Sequence, residues 1–210
     1  AIANTQLLTC TNKNNIWDVG EGGLLTKVGN VTSSDTQRQF LTSSAMYFDG
    51  ANDLLEINAD VANFGTGDFT IEMWIYPVEY GNALFNKTTE TGSSSPPSVS
   101  VYMPSNAFLV GVNSGTATGS WNTCSAVAAL NQWSHFAVTR EGTSLKAFLN
   151  GTSILSTTNS ANVDNNITFN LGKWRSSSEY YSGYMQDVRL TKGLARYTSN
   201  FTPPTAEFEG

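Results

Sequence analysis

The sequence predicts an all-β fold, a sandwich of two antiparallel sheets, on three observations. Its apolar residues fall in short runs bounded by Gly, Asn, Asp or Pro, which is how sandwich strands are punctuated. The run "DFTIEMWIYP" (68–77) alternates with a period of two, placing Phe69, Ile71, Met73 and Ile75 on one side and Thr70, Glu72, Trp74 and Tyr76 on the other. Only "NADVANFG" (58–65) reads as helix, with room for about two turns.

Strands are expected at "SAMYFD" (44–49), "DLLEIN" (53–58), "DFTIEMWIYP" (68–77), "ALFNK" (83–87) and "SVSVYM" (98–103). They continue at "AFLVGVN" (107–113), "WSHFAVTRE" (133–141), "SLKAFLNG" (144–151), "ITFNLGK" (167–173) and "YMQDVRLT" (184–191). One side of 68–77 is core; the other is either a partly wet concave face or a second packed layer. The stretches "EGTS" (141–144) and "NGTS" (150–153) are hairpin turns, Gly151 supplying the positive φ of a primed turn, so 133–141 pairs antiparallel with 144–150. No internal repeat is present, and "TTETGSSSPPS" (88–98) is an exposed loop whose cleavage into a linker would leave two open sheets. The 210 residues are therefore expected to form a single domain.

Composition excludes several classes of function. Charged residues are 13% of the chain, about half the usual share of roughly 25%, so the surface is neutral and rich in hydroxyls and amides. A net charge of -6 and a pI near 4.7 argue against nucleic acid, which needs a surplus of Lys and Arg. Five of the eleven cations lie between Lys173 and Arg196, but Glu179 and Asp187 interrupt them, which reads as a partly paired surface. No apolar stretch approaches the ~18 residues of a membrane span, and the start lacks a signal peptide's pattern, so no membrane insertion is expected. A chain beginning at Ala1 implies Met removal, processing or excision from a longer polypeptide. Cys10 and Cys124 are too few for zinc and are expected free and buried; they pair only if their strands are neighbours.

The succession "AMYFDGANDLLEI", "FGTGDFTIEMWIYP", "NQWSHFAVTREGTSLKAFLNGT" and "GYMQDVRLTKGLARYTSNFTPPT" resembles the laminin-G-like jelly roll of the concanavalin A-like lectin/glucanase superfamily. The resemblance covers most of 44–206 and is similar in particular to the version found in virion proteins of tailed bacteriophages, marine ones included. "AIANTQLLTC" is similar to the first strand of such domains. The resemblance implies one concave and one convex sheet. It also makes the closing segment structural: Val188 and Leu190 point inward, Arg189 faces outward, and Pro203 and Pro204 end the ladder for want of N–H donors. A binding role for Lys192 or Arg196 stays open beside that reading.

Polysaccharide-cleaving members of the superfamily carry carboxylates at alternate positions of one strand, and this chain departs from that pattern. Asp68 and Glu72 share a face but are four residues apart, so their backbones are separated by roughly 13 Å. Paired carboxyls must stand about 5 Å apart for retaining chemistry or about 6.5 to 9.5 Å for inverting chemistry. Glu72 is expected to hydrogen-bond across the sheet or to sit wet on the concave face. His135, the only histidine, alternates with Trp133 and Ala137 in a strand, a packing position that receives no catalytic role. The chain is expected not to be an enzyme.

Some superfamily members hold a structural calcium between early and late strands, and the resemblance offers Asp49, the Gly50 carbonyl and Asp187 as ligands. An Asx turn at Asp49 and a surface pairing of Asp187 with Arg189 is the simpler reading of the same residues. Carbohydrate-binding candidates are aromatics outside the core pattern, because sugars stack their C–H faces on rings while their hydroxyls need polar neighbours. Trp121 in "TGSWNTCS", and Trp174, Arg175, Tyr180 and Tyr181 in "GKWRSSSEYYSG", meet that description. Contact with a neighbouring subunit, as in a homo-oligomer, or a loop folded over the sandwich edge accounts for them equally well. The sequons at Asn30, Asn86, Asn150, Asn166 and Asn200 are what chance gives in so Asn- and Thr-rich a chain.

Two functions follow. The first is a non-catalytic module on the virion surface of a tailed phage, in a fibre, capsid appendage or tail, binding host or environmental glycans. The alternative is an architectural virion domain whose partners are other virion proteins.

Overall fold

The computed structural model describes residues 4–9, 25–87, 99–113, 121–174 and 179–208. In chain order the strands are β1 (Thr5–Leu8), β2 (Leu25–Val28), β3 (Thr32–Ser34), β4 (Ala45–Asp49), β5 (Leu54–Ile57), β6 (Phe69–Pro77), β7 (Asn82–Lys87) and β8 (Val99–Met103). They continue with β9 (Leu109–Val112), β10 (Asn122–Thr123), β11 (Ser134–Glu141), β12 (Ser144–Leu149), β13 (Thr152–Thr158), β14 (Phe169–Leu171) and β15 (Ser182–Lys192). The expected helix is a single 3-10 turn, Ala59–Ala62: the Asn58 side chain accepts the Asp60 N–H, and Gly65, at φ 58°, turns the chain away before a second turn forms.

Every pairing is antiparallel. An eight-stranded sheet runs β13-β12-β11-β6-β15-β4-β3, and β1 joins it beside the second half of β15; a seven-stranded sheet runs β10-β9-β8-β7-β14-β5-β2. The two close on one core, so the fold is the expected jelly-roll sandwich. Phe69, Ile71, Met73 and Ile75 of β6, with Val188 and Leu190 of β15, face inward with no exposed surface, and Leu55, Phe85, Val101 and Leu171 of the other sheet meet them. Each such side chain contributes about 1.5–3 kcal/mol on leaving water. The predicted hairpin is present, Glu141 opposite Ser144, and Asn150 and Gly151 both take positive φ (49° and 76°) to turn β12 into β13.

The outer side of β6 is the second packed layer rather than a wet face. Glu72 and Thr70 are fully buried and Trp74 is nearly so. Phe40 packs edge-on against Trp74 at 5.6 Å, whereas Thr70 and Glu72 are covered by the chain's own end, and here the structure corrects the expected role of the prolines. The ladder stops at Lys192, because Gly193 at φ 78° turns the chain and gives its N–H to the Asp68 carbonyl. Residues 194–208 then cross the outer face of the eight-stranded sheet as a strap. Thr70 Oγ1 donates to the Leu194 carbonyl, Thr139 Oγ1 to that of Tyr197, and Lys146 Nζ to that of Thr198. Phe201 N–H donates to the Gly151 carbonyl, and Phe208 N–H to Asp187 Oδ2. Arg189 does leave the core side, but it is buried under the strap with its guanidinium 3.9 Å from the Phe208 ring centroid. Arg196 donates to Thr191 and Thr5 hydroxyls, so of the three closing cations Lys192 alone is exposed.

Candidate functional site

The seven-stranded sheet carries a row of polar side chains on the side away from the core, partly exposed from Thr26 to Asn170 and buried at Asn86 and Ser100. Directly opposed across successive strands stand Thr26 (β2), Glu56 (β5), Asn170 (β14), Asn86 (β7), Ser100 (β8) and Gly111 (β9). They face outward because their neighbours Leu55, Leu171, Phe85, Val101 and Val110 fill the core, and side chains alternate along a strand. Ser100 Oγ donates to Asn86 Oδ1, and Asn170 Oδ1 is a shielded acceptor with no hydrogen-bond partner. At the Thr26 end of the row, an open pocket of about 370 Å³ is lined by Thr26, Glu56, Asn58, Asn166 and Thr168 among others.

The opposite end is aromatic. Trp121 lies over Gly111 so closely that a Cβ on that glycine would come within 2.9 Å of the indole ring. Trp121 and Trp174 have centroids 5.3 Å apart, and Trp174 and Tyr102 5.5 Å, all three rings half-buried. Burial, and then the charge and hydrogen bonding of Glu179, raise the pKa of the Tyr102 hydroxyl. Trp174 is held by its N–H on the Glu179 carbonyl, and the bridge between Lys173 and Tyr180 closes the same turn. Lys173 Nζ lies 5.6 Å from the half-buried Tyr180 ring.

Trp121 and Trp174, distant in sequence, therefore meet, and they recruit Tyr102, which sequence reasoning missed because it sits in an ordinary alternating strand. Tyr181 is a correction. It has no exposed surface, packs edge-on against Phe48 at 5.8 Å and donates its hydroxyl to the Tyr184 carbonyl. The Tyr180-Tyr181 pair straddles a strand entry, so one ring turns out and the other in. Arg175 lies outside the described residues, as does Cys10; Cys124 is buried and unbonded, its thiol pushed up to about 12 by burial.

The proposed calcium set is not assembled. Asp49 opposes Ser182 on β15, and Asp187 lies five residues further along that strand, roughly 16 Å away. Asp49 Oδ1 instead accepts the N–H groups of Ala51 and Asn52, the Asx turn, with Gly50 at φ 78°. Asp187 sits in a β-bulge at φ 52°, buried, with Oδ2 on Phe208 N–H and Oδ1 unpartnered. The expected surface pairing with Arg189 is not made: both residues are buried, and Arg189 Nε and Nη2 donate to Glu72 Oε1. Among the described residues no three His, Cys, Asp or Glu side chains converge.

Glu72 hydrogen-bonds across the sheet. Arg189 Nε and Nη2 reach Oε1 at 2.9 and 2.7 Å, Tyr197 O–H donates to Oε2 at 2.7 Å, and His135 Nε2 stands 3.2 Å from Oε2. Burial alone would raise the Glu72 pKa, but the His135 hydrogen bond, the Arg189 charge and Tyr197 outweigh it and hold it low. Asp187 is shifted the other way, up to about 8, first by burial and further by the charges of Glu207 and Glu72. Two carboxyls with opposed protonation thus share one region, but the strap seals both, and every Glu72 oxygen is occupied.

Comparison with known proteins agrees with this architecture. Residues 49–194 match the laminin-G-like family described as the concanavalin A-like lectin/glucanases superfamily, well over half of the chain, and the chain belongs to it. No curated protein matches it in sequence. Among solved structures, the binding domain of Paraclostridial Mosquitocidal Protein 1 superposes with a TM-score of 0.67 at 15% identity over 91% of this chain, which spans 49% of that one. Domain 4 of AbnA, a GH43 extracellular arabinanase from Geobacillus stearothermophilus, in complex with arabinotriose, gives 0.63 at 15% identity over 91% of this chain and 94% of its own. A Trypanosoma rangeli sialidase in complex with the inhibitor DANA gives 0.61 at 13% identity, covering 90% of this chain and 30% of that one. These likenesses establish a fold shared by binding domains and by a chain that also carries an enzyme.

Proposed function

We propose that the protein is a non-catalytic glycan-binding module whose site is the outer face of the seven-stranded sheet. The observation that carries this reading is the meeting of Trp121, Trp174 and Tyr102 at the end of a row of amides and hydroxyls. Rings supply stacking surface for C–H faces, while Thr26, Glu56 and Asn170, the members of the row that keep exposed surface, supply donors and acceptors for hydroxyls. The likeness to AbnA domain 4, matched over nearly its whole length, supports a carbohydrate ligand. The sealing of Glu72 and Asp187 beneath the strap supports a binding rather than a cleaving role. The setting we assign is the virion surface of a tailed phage, beside other virion proteins; its support is the resemblance of "DVRLTKGLARYTSNFTPP".

The test is titration of the purified chain with a panel of host and environmental polysaccharides, alongside Trp174→Ala. Saturable binding weakened about tenfold or more in the variant, a loss of about 1.4 kcal/mol, is expected. Binding indifferent to Trp174 would remove this site, and silence across the panel with an oligomer's mass in solution would favour the architectural alternative. Antibody to the chain should label intact phage particles; unlabelled particles would reject the virion setting.

A further inference from the structure

The outer face of the eight-stranded sheet, on the other side of the molecule, carries an aromatic row that neither the strap nor the proposed site uses. Tyr47 on β4 opposes Tyr184 on β15, Tyr184 opposes Tyr76 on β6, and Trp133 stands against Tyr76 at the entry to β11. Successive ring centroids are 5.0, 5.8 and 5.6 Å apart. All four rings are half-buried, each keeping part of its surface in solvent. We infer that this row is a second glycan-binding strip, fitted to an extended, neutral, β-linked chain lying across the strands.

Three observations choose that ligand. The rings repeat at close to the strand spacing of about 4.8 Å, which is nearly the advance per residue of an extended β-linked pyranose chain. The ring planes are inclined to their neighbours by 39°, 79° and 59°, so successive sugars would meet ring faces and ring edges in turn, a pattern that neither a compact branched glycan nor a flat apolar protein surface requires. The rim is made of hydrogen-bonding groups: exposed Thr32 opposes Tyr47, and Ser182 and Asp49 oppose each other one position along the same face. The nearby charge is negative, from Asp49 and from Glu79, whose carboxylate lies beside Gly50 and Ser182. That charge disfavours uronic or sialic acids.

The strip is independent of the Trp174 site, so the two can fail separately. Cellohexaose, xylohexaose and mannohexaose would be titrated calorimetrically into the wild type, Tyr184→Ala and Trp174→Ala, with an oligogalacturonate as anionic control. Tyr47→Ser, at the end of the strip, serves if Tyr184→Ala lowers the melting temperature. At least one neutral chain should bind with a component that either tyrosine variant weakens about tenfold or more and that Trp174→Ala leaves intact. Absence of any such component for all three chains overturns the strip, as does equal or tighter binding of the oligogalacturonate there. A wild type that is dimeric while Tyr184→Ala is monomeric would likewise overturn it, because the strip would then be covered by a second copy.

Discussion

Asp187 and Glu72 show how two carboxyls a few residues apart in space come to work in opposite pH windows. Asp187 ionises near 3.8 in an unfolded chain but keeps its proton to about 8 in the fold. Between those values the folded state binds more protons, so its contribution to stability is fully present below pH 3.8 and is lost as pH rises to about 8. The slope is about 1.4 kcal/mol per pH unit. Glu72, held low, contributes stability above its ordinary 4.5 that is lost on acidification. Asp187→Asn should remove the alkaline-side decline and make the protein more stable than wild type at pH 8, read from denaturant midpoints across pH. Asn keeps an acceptor for the Phe208 N–H and tolerates positive φ. A variant with the wild-type slope would mean that Asp187 is ionised in the fold.

The strap is the element on which the sealing of the eight-stranded sheet depends, and Gly151 is where it is least forgiving. A Cβ at Gly151 would stand 1.9 Å from the Phe201 carbonyl oxygen and 3.1 Å from Pro203, besides being strained at φ 76°. At Gly142, φ 54°, a Cβ meets nothing within 4 Å. Gly142→Ala should therefore cost only the backbone strain, about 1–2 kcal/mol. Gly151→Ala should cost more than about 2 kcal/mol and deprotect the Phe201 amide in hydrogen exchange; equal costs at the two glycines would show that the strap is not held there. The strands legible in the sequence were those with an apolar alternation, such as β6, and those with a glycine turn, such as β11 and β12. Strands β3 and β10, "TSS" and "NT", have no apolar pattern and exist because a partner edge is available. Asp187 is buried rather than at the surface because the strap, which has no strand pattern in the sequence, closes over it and places the Phe208 N–H on its Oδ2.

Across the whole molecule the aromatic sites follow register rather than proximity in sequence. Trp121 and Trp174 were legible as loop aromatics, whereas Tyr102 and the row Tyr47, Tyr184, Tyr76 and Trp133 come from separate strands and become neighbours only once pairing is known. With a net charge of -6 and neutral ligands, affinity should be nearly constant from low to high salt, measured by the same titrations. A steep salt dependence would indicate a charged ligand instead. One further consequence lies in β15, which supports β6, β4, β1 and the strap alike. Translation delivers that strand near the end of the described chain, so Thr5–Leu8 and Ala45–Asp49 leave the ribosome long before the strand they pair with exists. Until then β6 and β4 offer bare edges, and the nascent polypeptide must be kept from pairing with its neighbours, a slow, aggregation-prone interval in which chaperones would have the most to do.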